Sequence, residues 1–132
     1  MIRAITYSVL VALAGQASAS DTPPSGMKAE LHETIFEPVG VTASTAKVLR
    51  LRYVAAEVAD KEAFGFNQIE ADFVWLCTRD GLEFVTSSAP MIEQIIVSIS
   101  SEIVPFGETA PNVVQYFDAF KLESQTCIWE GL

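Results

Sequence analysis

Histidine is nearly missing from this chain of 132 residues, and cysteine occurs only twice. That scarcity excludes zinc fingers, multi-histidine metal centres and disulfide-dense scaffolds. Cations are few as well. Eight Lys and Arg stand against seventeen Asp and Glu, a net charge of −9, which argues against nucleic acid and anionic membrane surfaces as partners. There is no glycine-rich phosphate loop, no nucleophile elbow, no internal repeat and no low-complexity stretch. What is present is half apolar and 19% charged, which excludes disorder and fibrous repeats. The length suits one small domain.

The first residues read as an address. Met1-Ile2-Arg3 is a positive head, 4–14 is uncharged and apolar, and Ala17-Ser18-Ala19 is a small-x-small cleavage site. A membrane span needs roughly 20 apolar residues, and this run is too short for one. A buried helix does not account for the Ala-x-Ala ending. Residues 1–19 are therefore expected to be a secretory signal peptide. A lipid anchor would need a cysteine after Leu13-Ala14-Gly15, where Gln16 stands. The mature chain from Ser20 is expected free in the periplasm or secreted, with no membrane anchor. Without Arg3, seven Lys and Arg face seventeen Asp and Glu, a net of −10. The mean hydropathy of +0.32 owes much to the leader.

Cys77 and Cys127 lie beyond that cleavage site. In an oxidising compartment two lone cysteines most often pair. Two free buried thiols and a redox pair are the alternatives, the latter disfavoured because redox motifs keep their cysteines close in sequence.

Residues 20–27, with Pro23-Pro24-Ser25-Gly26, read as an extended tail, and 28–132 as a single domain. Alternation over 28–37 sets Leu31 and Ile35 against Glu30, His32 and Thr34. Alternation over 47–55 sets Leu49, Leu51 and Tyr53 against Arg50 and Arg52. The two runs are expected to pair as antiparallel strands, with Glu30 and Glu33 near the arginines. Asn67, with Glu70 three residues on, reads as a helix N-cap. Ile69, Phe73, Leu76 and Cys77 then mark a buried helical face, and Gly81 weakens or ends the helix, with continuation to about Val85 open. The β-branched run 92–100 reads as a central strand buried on both faces. The short segment 103–106, interrupted by Pro105, reads as an edge or a bend. Residues 113–122 fit a strand better than a helix, turning at Ser124-Gln125 into a last strand over 126–130. The order β-β-α-β-β-β predicts a two-layer α+β domain, with an antiparallel sheet of about five strands, one main helix, and a disulfide stapling helix to sheet.

Chemistry is sparsely marked. His32 beside Glu30 and Glu33 is the one candidate general base, but no nucleophile or metal set accompanies it, and no cofactor is implied. Glu70 with Asp72, and Asp80 with Glu83, are carboxylate pairs of the kind usually found on solvated helix faces. Of the aromatics, Tyr116, Phe117 and Phe120 read mainly as core. Trp75 falls off the buried helical face and is a candidate exposed anchor. Trp129 shares a strand face with Cys127 and is expected to pack beside the bridge. Trp75, Tyr116 and Trp129 are the candidate binding residues.

The segments Ile95-Ile96-Val97-Ser98-Ile99-Ser100, Val104-Pro105-Phe106-Gly107, Gln115-Tyr116-Phe117-Asp118-Ala119-Phe120 and Cys127-Ile128-Trp129-Glu130-Gly131-Leu132, with Asp72 and Leu76-Cys77 upstream, resemble an uncharacterised family of small exported proteins of Rhodobacter-like alphaproteobacteria. The resemblance covers the C-terminal half well and the rest loosely. It implies a Cys77–Cys127 pair and a Gram-negative periplasm, and it carries over no catalytic residues. Some relatives bear the label acetolactate synthase, which does not fit here, because that enzyme needs a thiamine diphosphate site spread over a much longer chain. The function expected from these readings is a non-enzymatic acidic binding domain for a protein partner, a basic one such as a lysozyme being the specific version. The alternatives are a small hydrolase using His32 and an assembly factor of an envelope complex.

Overall fold

Strand β2 (Val48–Val54) shows how the alternation is used. Leu49, Leu51 and Tyr53 are fully buried on one side of the sheet, and Arg50 and Arg52 project from the other. The computed structural model describes residues 21–131; the segment read as a signal peptide, 1–19, lies outside them. Strand β1 (Glu30–Glu37) pairs antiparallel with β2. After a polar turn come helix α1 (Phe66–Leu76), a π turn (Cys77–Gly81) and a short helix α2 (Leu82–Ser87). Strands β3 (Gln94–Ser100), β4 (Gln115–Glu123) and β5 (Thr126–Trp129) complete a five-stranded sheet in the order β1-β2-β3-β4-β5. The fold is α+β, with one helical layer on one sheet.

Three of the four pairings are antiparallel, and the central β2–β3 pair is parallel. The expected all-antiparallel sheet is corrected at this one junction. The cause is the helix itself: a chain that leaves β2, crosses one face of the sheet and returns beside β2 must run in the same direction. Leu49, Leu51 and Tyr53 lie opposite Ile95, Val97 and Ile99. These six buried residues make the floor on which Ile69, Phe73, Leu76 and Cys77 rest. Gly81 does not stop the helix. It is buried against β3, and a Cβ there would fall 2.7 Å from Ile95 Cδ1. The missing side chain lets the π turn approach the sheet closely.

Four local expectations change. The helix begins at Phe66 with Gly65 as N-cap, so Asn67 is already inside it. A Cβ on Gly65 would lie 2.6 Å from the Lys61 carbonyl oxygen, and Phe66 packs on Phe73 and Tyr116. In β1 the register slips between Leu31 and Glu33, a bulge at His32. Beyond it every side chain changes face: Ile35 joins the arginine side, and Phe36 packs against the core. The ion pairs are accordingly Glu33–Arg52 and Glu37–Arg50, and neither involves Glu30. Finally, the segment expected as a free tail is pinned. Pro23 and Met27 are buried. Buried Asp72 accepts hydrogen bonds from the Ser25 amide, at 3.0 Å, and from the Ser25 hydroxyl.

The segment 103–106 is a loop, as Pro105 suggested, and folds across the outer face of the sheet. Residues 115–123 are a strand. Ser124 and Gln125 both adopt positive φ, the backbone of a tight hairpin turn whose twist matches the flanking strands. Cys77 and Cys127 are bridged, their Cα atoms 6.4 Å apart, so the helical layer is covalently tied to the edge strand.

Two measurements test these contacts. Gly81→Ala should destabilise the protein by roughly 1–2 kcal/mol in urea titration, since overpacking outweighs the helix propensity gained. Adding Ile95→Val, which removes the clashing methyl, should recover part of the loss. Cys77→Ser and Cys127→Ser should each cost up to about 4 kcal/mol, the loop-entropy value for this separation. The double variant should be no worse than either single one, and a clearly additive loss would contradict a shared bond.

Candidate functional site

The arginines of β2 build the first feature. The outer face carries Arg50 and Arg52 on β2, Ile96 and Ser98 on β3, and Gln115 and Phe117 on β4. The loop after β3 brings Phe106 over both guanidinium groups, at 5.3 and 5.5 Å from the ring centre. Together they enclose a pocket of about 180 Å³. Arg52 is buried and bonded through both terminal nitrogens: Nη1 donates to Glu33 Oε2 at 2.6 Å and Nη2 to the Val104 carbonyl oxygen at 2.6 Å. It fastens the loop to the sheet. Arg50 donates through Nε to Glu37. Both positive charges are matched by carboxylates, and the pocket is smaller than the several hundred Å³ usual for ligand sites.

The second feature lies on the helical side. Arg79 donates two parallel hydrogen bonds to Asp80, each 2.8 Å, and sits 4.5 Å over the Trp75 ring. The Tyr53 hydroxyl reaches up from beneath the helix and donates to Asp80 Oδ2 at 2.5 Å. Burial, reinforced by the Asp80 hydrogen bond and charge, pushes the Tyr53 phenol far above its ordinary value. For Asp80, burial alone would raise the carboxyl, but hydrogen bonds from Arg79 and Tyr53 and the Arg79 charge outweigh it and hold the group below the usual carboxylate range. The π turn makes this cluster possible by turning Arg79 and Asp80 toward Trp75 and Tyr53, a local distortion often found at functional positions.

The third feature is a groove of about 450 Å³ between α1 and the β4–β5 edge, lined by Gln68, Glu70, Val74, Asp118, Phe120 and Trp129. Trp129 is 61% exposed. Its indole Nε1 donates to Asp118 Oδ1 at 2.8 Å, and Asp118 is only 4% exposed.

The residues singled out from sequence are scattered over these features. His32 sits half-buried at the β1 bulge. Its imidazole is held below its ordinary value by partial burial and by the Arg52 charge, with Glu33 opposing. Among the described residues nothing hydrogen-bonds to it, and Glu30 does not join it. Tyr116 is half-buried against Phe66. The two tryptophans exchange roles. Trp75 is partly buried and covered by Arg79. Trp129, expected beside the bridge, is exposed, because β5 is an edge strand and only Cys127 is drawn beneath the helical layer. Phe106 and Asp118 carry no motif that marks them as site residues, and the sequence places Asp80 only in a carboxylate pair with Glu83 of the kind found on solvated helix faces. The run Gln115-Tyr116-Phe117-Asp118 shows Asp118 on the apolar side of β4, where a buried carboxylate must have a partner, and that was the one available hint.

The Asp80 cluster should show in the pH dependence of stability. A carboxyl whose folded value lies below its unfolded value stabilises the fold above the unfolded value, near pH 4, and loses that contribution as pH falls through the folded one. Asp80→Asn should therefore cost about 1 kcal/mol or more at neutral pH. The gap to the parent protein should narrow below about pH 4. A gap that stays constant down to the acid limit would contradict the assignment.

Among the described residues no helix is long and apolar enough to cross a membrane, and no group of three or more His, Cys, Asp or Glu is placed to hold a metal ion. No curated protein and no solved structure matches the chain. Residues 8–132 match the model of a family described as "Family of unknown function (DUF6497)", and the chain belongs to that family.

Proposed function

We propose that the protein is exported to the periplasm of a Gram-negative alphaproteobacterium or secreted, loses residues 1–19, and acts as a non-enzymatic acidic domain that binds a basic protein partner. The observation that carries the reading is that two large aromatic side chains are held exposed on strands, one on each face of the sheet: Phe117 at 57% on β4 and Trp129 at 61% on β5. Exposed rings on short loops are ordinary. Rings fixed on strands present apolar area at little entropic cost, which is the form that binding hot spots take. The excess of carboxylates supplies long-range attraction for a basic surface. The bridge between Cys77 and Cys127 suits an oxidising compartment.

Export and binding are tested together. The purified mature protein should begin at Ser20 and carry no acyl chain, as read from its intact mass. Immobilised on a surface, it should retain one or a few basic proteins from a periplasmic extract. Retention should fall steeply between low and physiological salt, where the screening length shrinks to about 8 Å. His32→Ala should leave both retention and the melting curve unchanged, within about 0.5 kcal/mol. Turnover of any hydrolase substrate that His32→Ala abolishes, with the melt intact, would replace this reading by the enzymatic one.

A further inference from the structure

All three arginines among the described residues are held in the same way, over an aromatic ring with a carboxylate alongside. Arg50 and Arg52 lie under Phe106 and pair with Glu37 and Glu33. Arg79 lies over Trp75 and pairs with Asp80. A guanidinium is planar and weakly hydrated, so a ring satisfies its face and a carboxylate its edge. Trp129 and Asp118 supply the same ring and carboxylate, and no cation of the described residues stands on either.

The geometry there is that of a prepared receptor. Asp118 is buried, and its Oδ1 accepts from Trp129 Nε1 at 2.8 Å and from the Ala119 amide at 3.0 Å. Its Oδ2 accepts no hydrogen bond from the described residues. No buried side-chain oxygen or nitrogen among them lacks a partner, so Oδ2 is open to solvent where Asp118 lines the groove. The indole is oriented by its bond to Oδ1 and backed by Gly131. A Cβ on that glycine would come within 3.1 Å of the ring. Glu70 adds a second negative charge to the groove, and Val74 and Phe120 supply apolar walls.

We propose that this groove binds an arginine side chain of a partner protein, the guanidinium lying against the Trp129 ring and donating to Asp118 Oδ2. The inference rests on the reading of the chain as an acidic binding domain and names the anchor of that binding. Arginine is favoured over lysine because the groove offers a flat ring beside a carboxylate, a combination that matches a planar fork better than a point charge. A protein source is favoured by the openness of the groove and by the exposed apolar surface of Trp129 and Val74 beside it, which residues flanking the arginine would cover.

The test uses isotope-labelled protein titrated with Nα-acetyl-arginine amide, read from the indole N–H signals of its two tryptophans. The Trp129 signal should move and saturate. The Trp75 signal, whose ring already carries Arg79, should stay in place. Nα-acetyl-citrulline amide, with an uncharged urea for the guanidinium, should move neither. Asp118→Asn should weaken binding roughly tenfold, the loss of a charge-assisted hydrogen bond. Gly131→Ala, which crowds the ring and strains a backbone held at positive φ while leaving Asp118 unsubstituted, should weaken it by about fivefold, and it carries the test if Asp118→Asn does not fold. Equal response to the citrulline derivative, equal movement of Trp75, or no saturable shift would overturn the proposal. Retention of a basic partner by Trp129→Leu as strong as by the parent protein would overturn it and leave the binding-domain reading standing. A saturable arginine response with no protein retained from extract would do the reverse.

Discussion

The structure depends on how closely the helical layer can approach the sheet. The crossover from β2 to β3 makes the two central strands parallel, and it places α1 and the π turn over a floor of Leu49, Leu51, Ile95, Val97 and Ile99. Gly81 is the contact that sets the distance, because its neighbour across the interface is the Ile95 side chain. Once the π turn is seated there, Cys77 comes within bridging distance of Cys127. The same seating brings Asp80 onto the Tyr53 hydroxyl and Asp72 onto the Ser25 segment. Packing, bridge and polar contacts all depend on one close approach.

A chain with so few cations uses each described arginine for more than one purpose. Arg52 neutralises Glu33, lies under Phe106 and ties the loop after β3 to the sheet through the Val104 carbonyl. Arg79 closes the Asp80–Tyr53 cluster and covers Trp75. Guanidinium groups suit such positions because they retain a stacking surface after their edge donors are bound, which an ammonium group does not. Internal pairing of this kind leaves most of the remaining carboxylates to define the outward field, and that field is negative.

The features with the strongest geometry owe little to the motifs visible in the sequence. His32 is the lone histidine, yet at the bulge nothing among the described residues hydrogen-bonds to it, and the charges that act on it are those of Arg52 and Glu33. Trp129 and Asp118 lie eleven positions apart in sequence and meet only because β4 and β5 form a tight hairpin with Phe120 opposite Trp129. Trp75 and Trp129 exchange expected roles for the same reason: exposure depends on where the helical layer ends over the sheet, a matter of width that periodicity does not record.

Alternation and helical spacing were enough to determine the element order and the buried faces of β2 and α1, because each is set by which side of a local segment is apolar; over 113–122 the spacing fits helix and strand alike, and the aromatic density and the turn that follows point to the strand. The hairpin at Ser124-Gln125 and the bend at Pro105 followed from residue chemistry alone. The parallel central pair, the bulge at His32, the capping by Gly65 and the pinning of Ser25 by Asp72 were decided only in the tertiary structure. Each depends on a contact between segments distant in sequence: a crossover that fixes strand direction, a register shift that turns Ile35 outward, a carbonyl that leaves no room for a Cβ, a buried carboxylate in need of a donor. Local patterning dictates which residues leave water, and the packing of distant segments dictates what they meet when they do.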